Sequence, residues 1–183
     1  MPDGRHGSAN SILIVLSGLP GVGKTTIAVE LARTLPAVHV RIDSIEHAIR
    51  QSASHASLPI DDAGYLVGYA IAGDNLSVGH TVVADSVNPW PETRDAWVAV
   101  ARRAGVPALE IEIVCSNPDD HRRRVETRVA DLPGFKLPTW QDVVSRDYRP
   151  WVRDRVVIDA SRLSVADSVD TIRRAVRSAA RAT

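Results

Sequence analysis

Two apolar rhythms alternate along this chain. Ile12 to Ser17 is a nearly unbroken apolar run of strand length, stopped by Gly18 and Pro20. From Lys24 the spacing changes: Ile27, Ala28, Leu31, Ala32 and Leu35 recur with helical periodicity until Pro36. The pair then repeats. Val38–Ile42, Thr81–Ala84, Leu109–Val114 and Arg155–Ile158 have strand length and character. Helices are predicted from Asp43, over Asp62–Val78, Pro91–Ala104, Pro118–Ala130, Thr139–Tyr148 and Val165–Ala180, with Gly105 and Pro107 closing the third of these. Met1–Asn10 reads as a disordered start and Gln51–Pro59 as a polar loop. Strands without polar alternation, separated by helices, belong to a parallel sheet covered on both faces. The expectation is an α/β fold, a three-layer α/β/α sandwich forming one domain over residues 11–183.

Composition narrows the function. Lys+Arg and Asp+Glu are 22 each, so net charge is zero. That disfavours a nucleic-acid coat or a surface built for anionic membrane, which need positive charge. The single cysteine, Cys115, excludes an internal disulfide framework and a cysteine-based zinc site. His39, His47, His55, His80 and His121 show no metal-ligand spacing. No early apolar run is long enough for a signal core or a membrane span, so the expected setting is the cytoplasm. Of the basic residues 20 are arginine, and Lys24 and Lys136 are the only lysines. A lysine that survives such displacement is a candidate for chemistry arginine cannot copy.

Gly18-Leu19-Pro20-Gly21-Val22-Gly23-Lys24-Thr25 matches the phosphate-binding pattern G-x-x-x-x-G-K-[ST] between a strand and a helix, and Thr26 continues it. Glycines let successive N–H groups turn toward a polyphosphate, and the helix N-terminus adds partial positive charge. Lys24 would reach the β- and γ-phosphates and the Thr25 hydroxyl would ligate Mg²⁺. The Asn-Lys-x-Asp signature of guanine recognition is absent, which favours ATP.

A phosphotransferase also needs a proton acceptor beside the γ-phosphate. Ligands meet at the carboxyl ends of parallel strands. Asp43 follows the second strand and Asp85 ends the third. Asp85 is placed as an Mg²⁺ carboxylate, with an Asx-turn toward Asn88 and Pro89 as its alternative; Asp43 is placed as the base, with a helix cap toward Glu46 as its alternative. Arg124 and Arg128, four apart, would share a helix face and stabilise transferring charge from a lid; a solvated basic face is the alternative. Trp90 is a candidate wall of an acceptor pocket, and Arg153 with Asp159–Ser161 a candidate flank for adenine.

With these residues the chain resembles the P-loop kinases of the adenylate-kinase-like branch, and among them the small AAA_33 and zeta-toxin type phosphotransferases. Ile42-Asp43-Ser44-Ile45-Glu46 is similar to the catalytic segment of chloramphenicol phosphotransferases, where the matching aspartate is the base. Val83–Trp97, with Asp85, Asn88 and Arg94, resembles the kinase domain of phage polynucleotide 5′-kinases, as does the Arg124/Arg128 pair. The resemblance spans Ile12 to Trp151. It implies strand order 2-3-1-4-5, an arginine-bearing lid at about 118–137, and ATP·Mg²⁺ as phosphoryl donor. The implied reaction is transfer of the γ-phosphate to a hydroxyl of a small molecule, such as an antibiotic or another metabolite. A polynucleotide 5′-hydroxyl kinase and a non-catalytic ATP-binding regulator are the rivals. Where the polynucleotide kinases carry an arginine three residues after the base, this chain has Glu46, which argues against a nucleic-acid acceptor and for an amine-bearing one.

Overall fold

The computed structural model describes residues 11–52 and 62–179. The expectations for Met1–Asn10, for the loop beyond Ser52 and for Ala180 lie outside these residues. Five strands, β1 (Leu13–Ser17), β2 (Ala37–Arg41), β3 (Thr81–Asp85), β4 (Ala108–Val114) and β5 (Val156–Asp159), form one sheet in the order β2-β3-β1-β4-β5. Every pairing is parallel. The helices are α1 (Lys24–Thr34), α2 (Ile42–Gln51), α3 (Ala63–Ser77), α4 (Pro91–Ala104), α5 (Pro118–Thr127), α6 (Trp140–Val144) and α7 (Val165–Ala179).

The unbroken apolar character of β1 follows from its central place. Ile14 and Leu16 join a core with Ile27, Leu31, Ile113 and Ile172 on one face. Leu13 and Val15 join Val40, Ala72, Leu76, Trp97 and Val100 on the other. All five β1 side chains are buried, Ser17 included. Thus α1 and α7 cover one face, and α3 and α4 the other. Helix ends follow local chemistry. Pro91 starts α4, where its missing N–H costs nothing, and Gly105 ends it in the left-handed region at φ 70°.

Three boundaries differ from the sequence reading in ways that matter. The β2 strand stops at Arg41 and α2 starts at Ile42, so Asp43 lies inside the first helical turn. Arg41 is the N-cap and no side chain caps α2, so the Asp43–Glu46 capping alternative is not realised. The α5 helix ends at Thr127, and Arg128 is extended at φ −63°, ψ 132°, so Arg124 and Arg128 do not share a helix face.

Candidate active site

The connection leaving β1 runs to β2 on one side of the sheet order and the one leaving the adjacent β3 runs to β4 on the other, which opens a crevice at the carboxyl ends of these two strands. The loop between β1 and α1 fills that crevice. Gly18, Gly21 and Gly23 all have left-handed backbone, at φ 141°, 83° and 105°. At Gly18 a Cβ would meet the Ile113 carbonyl oxygen at 2.2 Å, so only glycine lets the loop leave β1 against β4. The Gly18 N–H donates to the Val87 carbonyl at 3.1 Å, tying this loop to the one after β3. Lys24 opens α1, and its Nζ donates to the Leu19 carbonyl at 3.0 Å. Its side chain lines the crevice although the residue is only 8% exposed. Burial pushes the Lys24 ammonium below its ordinary pKa, Asp85 and Asp43 oppose that, and Arg128 and Arg146 add to it. An ammonium so placed is stabilised by any anion entering the loop.

Asp85 ends β3 and is 3% exposed. Burial alone would raise its pKa. The hydrogen bond to His39, the charge of Lys24 and a bond to the Thr25 hydroxyl outweigh it and hold the carboxyl below its ordinary value. His39 Nε2 lies 3.3 Å from Asp85 Oδ2. The Asn88 N–H donates to the Tyr65 hydroxyl at 3.0 Å, and Pro89 has no N–H, so the Asx-turn alternative is not realised; the Asn88 side chain donates through Nδ2 to Ser17 Oγ at 2.9 Å and accepts at Oδ1 from Trp97 Nε1 at 3.0 Å. Thr25 and Asp85 thus present two hard oxygen donors beside Lys24. This set fits Mg²⁺, which takes few protein ligands and completes its shell with water and phosphate. Among the described residues no group of three or more His, Cys, Asp or Glu could hold a metal.

Asp43 stands on the opposite side of the crevice, its side chain 38% exposed and 3.9 Å from Arg41. Arg41 also pairs with Asp131, just beyond α5. Glu46 is not an open carboxylate. It pairs with Arg50 at 3.0 Å and packs so closely on α3 that a Cβ at Gly64 would meet its Cγ at 2.3 Å. Glu46 lines the cleft, so an amine reaching it would compete with Arg50 for its carboxylate. Burial raises its pKa against the pull of Arg50, and its charge is already answered.

Helix α5 bears on the loop directly. His121 Nε2 bonds to the Pro20 carbonyl at 2.8 Å, Val125 packs under Gly21, and Arg124 donates to the Ala160 carbonyl at 2.8 Å while pairing with Asp120. Arg124, Arg128, Asp131 and Lys136 line one cleft with Lys24, Asp43 and Asp85, and Trp90 and Ala160 line it too. Of the expected adenine flank, Ala160 lines the cleft, whereas Arg153 is not among its lining residues and pairs with Glu110 and Asp95. Four contributors were not legible in the sequence: His39, Tyr65, His121 and Arg146. His121 shares the α5 segment singled out for Arg124 and Arg128 but had no role of its own there, and the other three come from segments without a motif. A polar residue inside an apolar strand, as His39 in Val38–Ile42, was the one available signal.

A family model for the AAA domain (AAA_33) matches residues 13–145. No curated protein matches the chain in sequence. Among solved structures, a Chloroflexus aurantiacus protein described as a kinase is 20% identical with a TM-score of 0.72, over 94% of this chain and 100% of that one. The Mycobacterium tuberculosis APS kinase CysC, in complex with AMPPNP and APS, is 18% identical with a TM-score of 0.69, over 92% and 98%. A Sinorhizobium meliloti gluconokinase is 20% identical with a TM-score of 0.62, over 93% and 94%. At such identities these structures establish a shared fold, that of the P-loop kinases. Through the matched segment, which holds the phosphate loop, Asp43, Asp85 and α5, the chain belongs to the AAA domain family.

Proposed function

We propose that this protein is an ATP-dependent kinase that transfers the γ-phosphate to a hydroxyl of a small molecule. The observation that carries this reading is one cleft holding a buried Lys24 in a glycine loop, the Thr25–Asp85 pair and a separate open carboxylate, Asp43. A nucleotide-binding regulator needs the first two and has no use for the third.

In this reading the amides of residues 18–24 and the Lys24 ammonium hold the β- and γ-phosphates. Thr25 and Asp85 hold Mg²⁺, which when bound neutralises phosphate charge. Asp43 accepts the proton of the acceptor hydroxyl as its oxygen bonds to the γ-phosphorus and the bond to the ADP oxygen breaks. Arg124, anchored beside Gly23, and Arg128, free at the end of α5, meet charge developing on the transferred group; the segment around 118–137 would act as the lid that carries them.

The test is ADP release from ATP·Mg²⁺ with a panel of nucleosides, sugars, hydroxylated antibiotics and a 5′-hydroxyl oligonucleotide. Asp43→Asn should lower acceptor-stimulated turnover by roughly 10²–10⁴-fold while leaving ATP affinity near that of wild type. Equal turnover in both proteins would remove Asp43 as the base. ATP binding without stimulation by any acceptor would favour the regulator.

A further inference from the structure

The cleft has a volume of about 1660 Å³, beyond the roughly 300–1,000 Å³ of a pocket for one small ligand. It has room for a second. The charges along it are unevenly answered. Arg41, Arg50 and Arg124 each face a carboxylate, from Asp131, Glu46 and Asp120. Arg146, just past α6, and Lys136 line the same cleft without an ion pair or side-chain hydrogen bond among the described residues, as does Arg128, which the phosphotransfer reading assigns to the transferred group. Asp142 adds a negative charge to this rim and feels the charges of both Lys136 and Arg146, but it forms no ion pair with either, and its Oδ2 accepts from the Thr139 N–H and hydroxyl at 2.8 and 2.7 Å. Arg146 lines this cleft together with Lys24, Asp43 and Glu46, and its charge acts on Lys24 and on Glu46.

A guanidinium fork without a protein acceptor among the described residues, lining the same cleft as Asp43, matches a phosphate, sulfate or carboxylate in two parallel hydrogen bonds. We propose that the acceptor is a small hydroxylated molecule that carries an anionic group, and that Arg146, with Lys136 beside it, binds that group. This rests on the phosphotransfer reading above. A polynucleotide would need free cations continuing along its backbone. Outside the cleft, many arginines instead face carboxylates, as Arg122 does with Glu126, Arg149 with Asp147, Arg155 with Glu112 and Arg162 with Asp159.

The experiment has two arms. In the first, the protein is saturated with AMPPNP·Mg²⁺, so that the phosphate loop is filled, and titrated with inorganic sulfate while Tm is followed. Sulfate should raise the Tm of wild type, Arg146→Ala should weaken its binding about tenfold or more, and Lys136→Ala less. Arg146→Lys, which keeps the charge and loses the fork, should fall between. The ligand-free Tm of each variant confirms that it folds. In the second arm, acceptors are supplied in matched pairs that differ by one carboxylate, sulfate or phosphate. The anionic member should have the lower KM by about tenfold or more, and Arg146→Ala should erase the difference while kcat changes far less. A missing sulfate effect, an effect that survives Arg146→Ala, equal use of neutral acceptors, or preference for a 5′-hydroxyl oligonucleotide would each overturn the inference. Failure of AMPPNP to bind at all would instead overturn the phosphotransfer reading, and this inference with it.

Discussion

Lys24 and Gly18 show how much of the site is decided by single residues. The chain keeps lysine at only two positions, and both line the cleft. A compact ammonium donates to the Leu19 carbonyl inside the loop as a point charge with three donors, which a planar guanidinium does not copy. Lys24→Ala should therefore weaken ATP binding about tenfold or more, measured by calorimetry, with the fold intact. Glycine is needed at Gly18 for a different reason. Its φ is 141°, and a Cβ would lie 2.2 Å from a backbone oxygen of β4, which cannot move without breaking the sheet. Gly73, inside α3, is the natural contrast, because its Cβ would meet only Val100 Cγ1 at an ordinary 3.8 Å. Urea unfolding should show Gly18→Ala destabilised by about 1–3 kcal/mol or more. Gly73→Ala should be stabilised by up to about 1 kcal/mol through helix propensity. If the two changes had the same sign, steric control of the loop would be wrong.

At the scale of elements, the phosphate loop is held from outside by α5 and α6. His121 on α5 bonds to the Pro20 carbonyl, and Trp140, opening α6, meets the His121 ring edge-on with centroids 5.2 Å apart. The segment carrying Arg128 and Lys136 runs between these two anchors, so its ends are fixed to the loop it would cover. Removing the imidazole leaves the Pro20 carbonyl unpaired beside Val125 and Gly21. His121→Ala should cost about 1–3 kcal/mol in chemical denaturation and should weaken ATP binding. His121→Gln, which keeps a donor, should recover part of the affinity, whereas unchanged ATP binding in both variants would make the contact purely structural. None of this coupling was legible in the sequence. The elements themselves were, because apolar runs and Gly/Pro punctuation record burial and chain reversal within a few residues of one another. The strand carrying the phosphate loop, α4 between Pro91 and Gly105, and Asp85 at the end of β3 all fell where that local grammar put them. The end of α5 did not, since Arg128-Val129-Ala130 is as helix-compatible as what precedes it, and the chain departs only where Arg41 draws Asp131 toward β2. Arg146 and His121 carried no local signal because their partners lie far away in the chain, at Lys24 and Pro20.

For the whole molecule, elements far apart in the chain are joined by phenols. The chain has three tyrosines, and each bridges elements. The Tyr65 hydroxyl accepts the Asn88 N–H at 3.0 Å, linking α3 to the loop after β3. The Tyr69 hydroxyl donates to the Thr93 carbonyl at 3.1 Å, and its ring lies edge-on to Trp97, linking α3 to α4. Tyr148 donates to Glu112 Oε1 at 3.2 Å, linking the segment after α6 to β4. Asn88 gathers these links from a fully buried, left-handed position at φ 49°, with Trp97 and Arg94 on its side-chain and backbone oxygens. Burial pushes Tyr65 up to about 12 and Tyr148 up to about 12, and it raises Tyr69 as well. An ordinary phenol ionises near 10. Because the folded pKa values lie above the unfolded one, the folded chain binds more protons between pH 10 and about 12. Its stability is then fully present below pH 10 and is lost as pH rises through that window. Absorbance at the phenolate band should therefore show almost no ionisation at pH 10 in the native protein. All three tyrosines should then ionise together with the loss of the near-ultraviolet circular dichroism of the buried Trp97. A phenolate signal appearing near pH 10 while that dichroism stays intact would show at least one tyrosine free of its bridge, and the packing of α3 between the sheet and α4 would have to be redrawn.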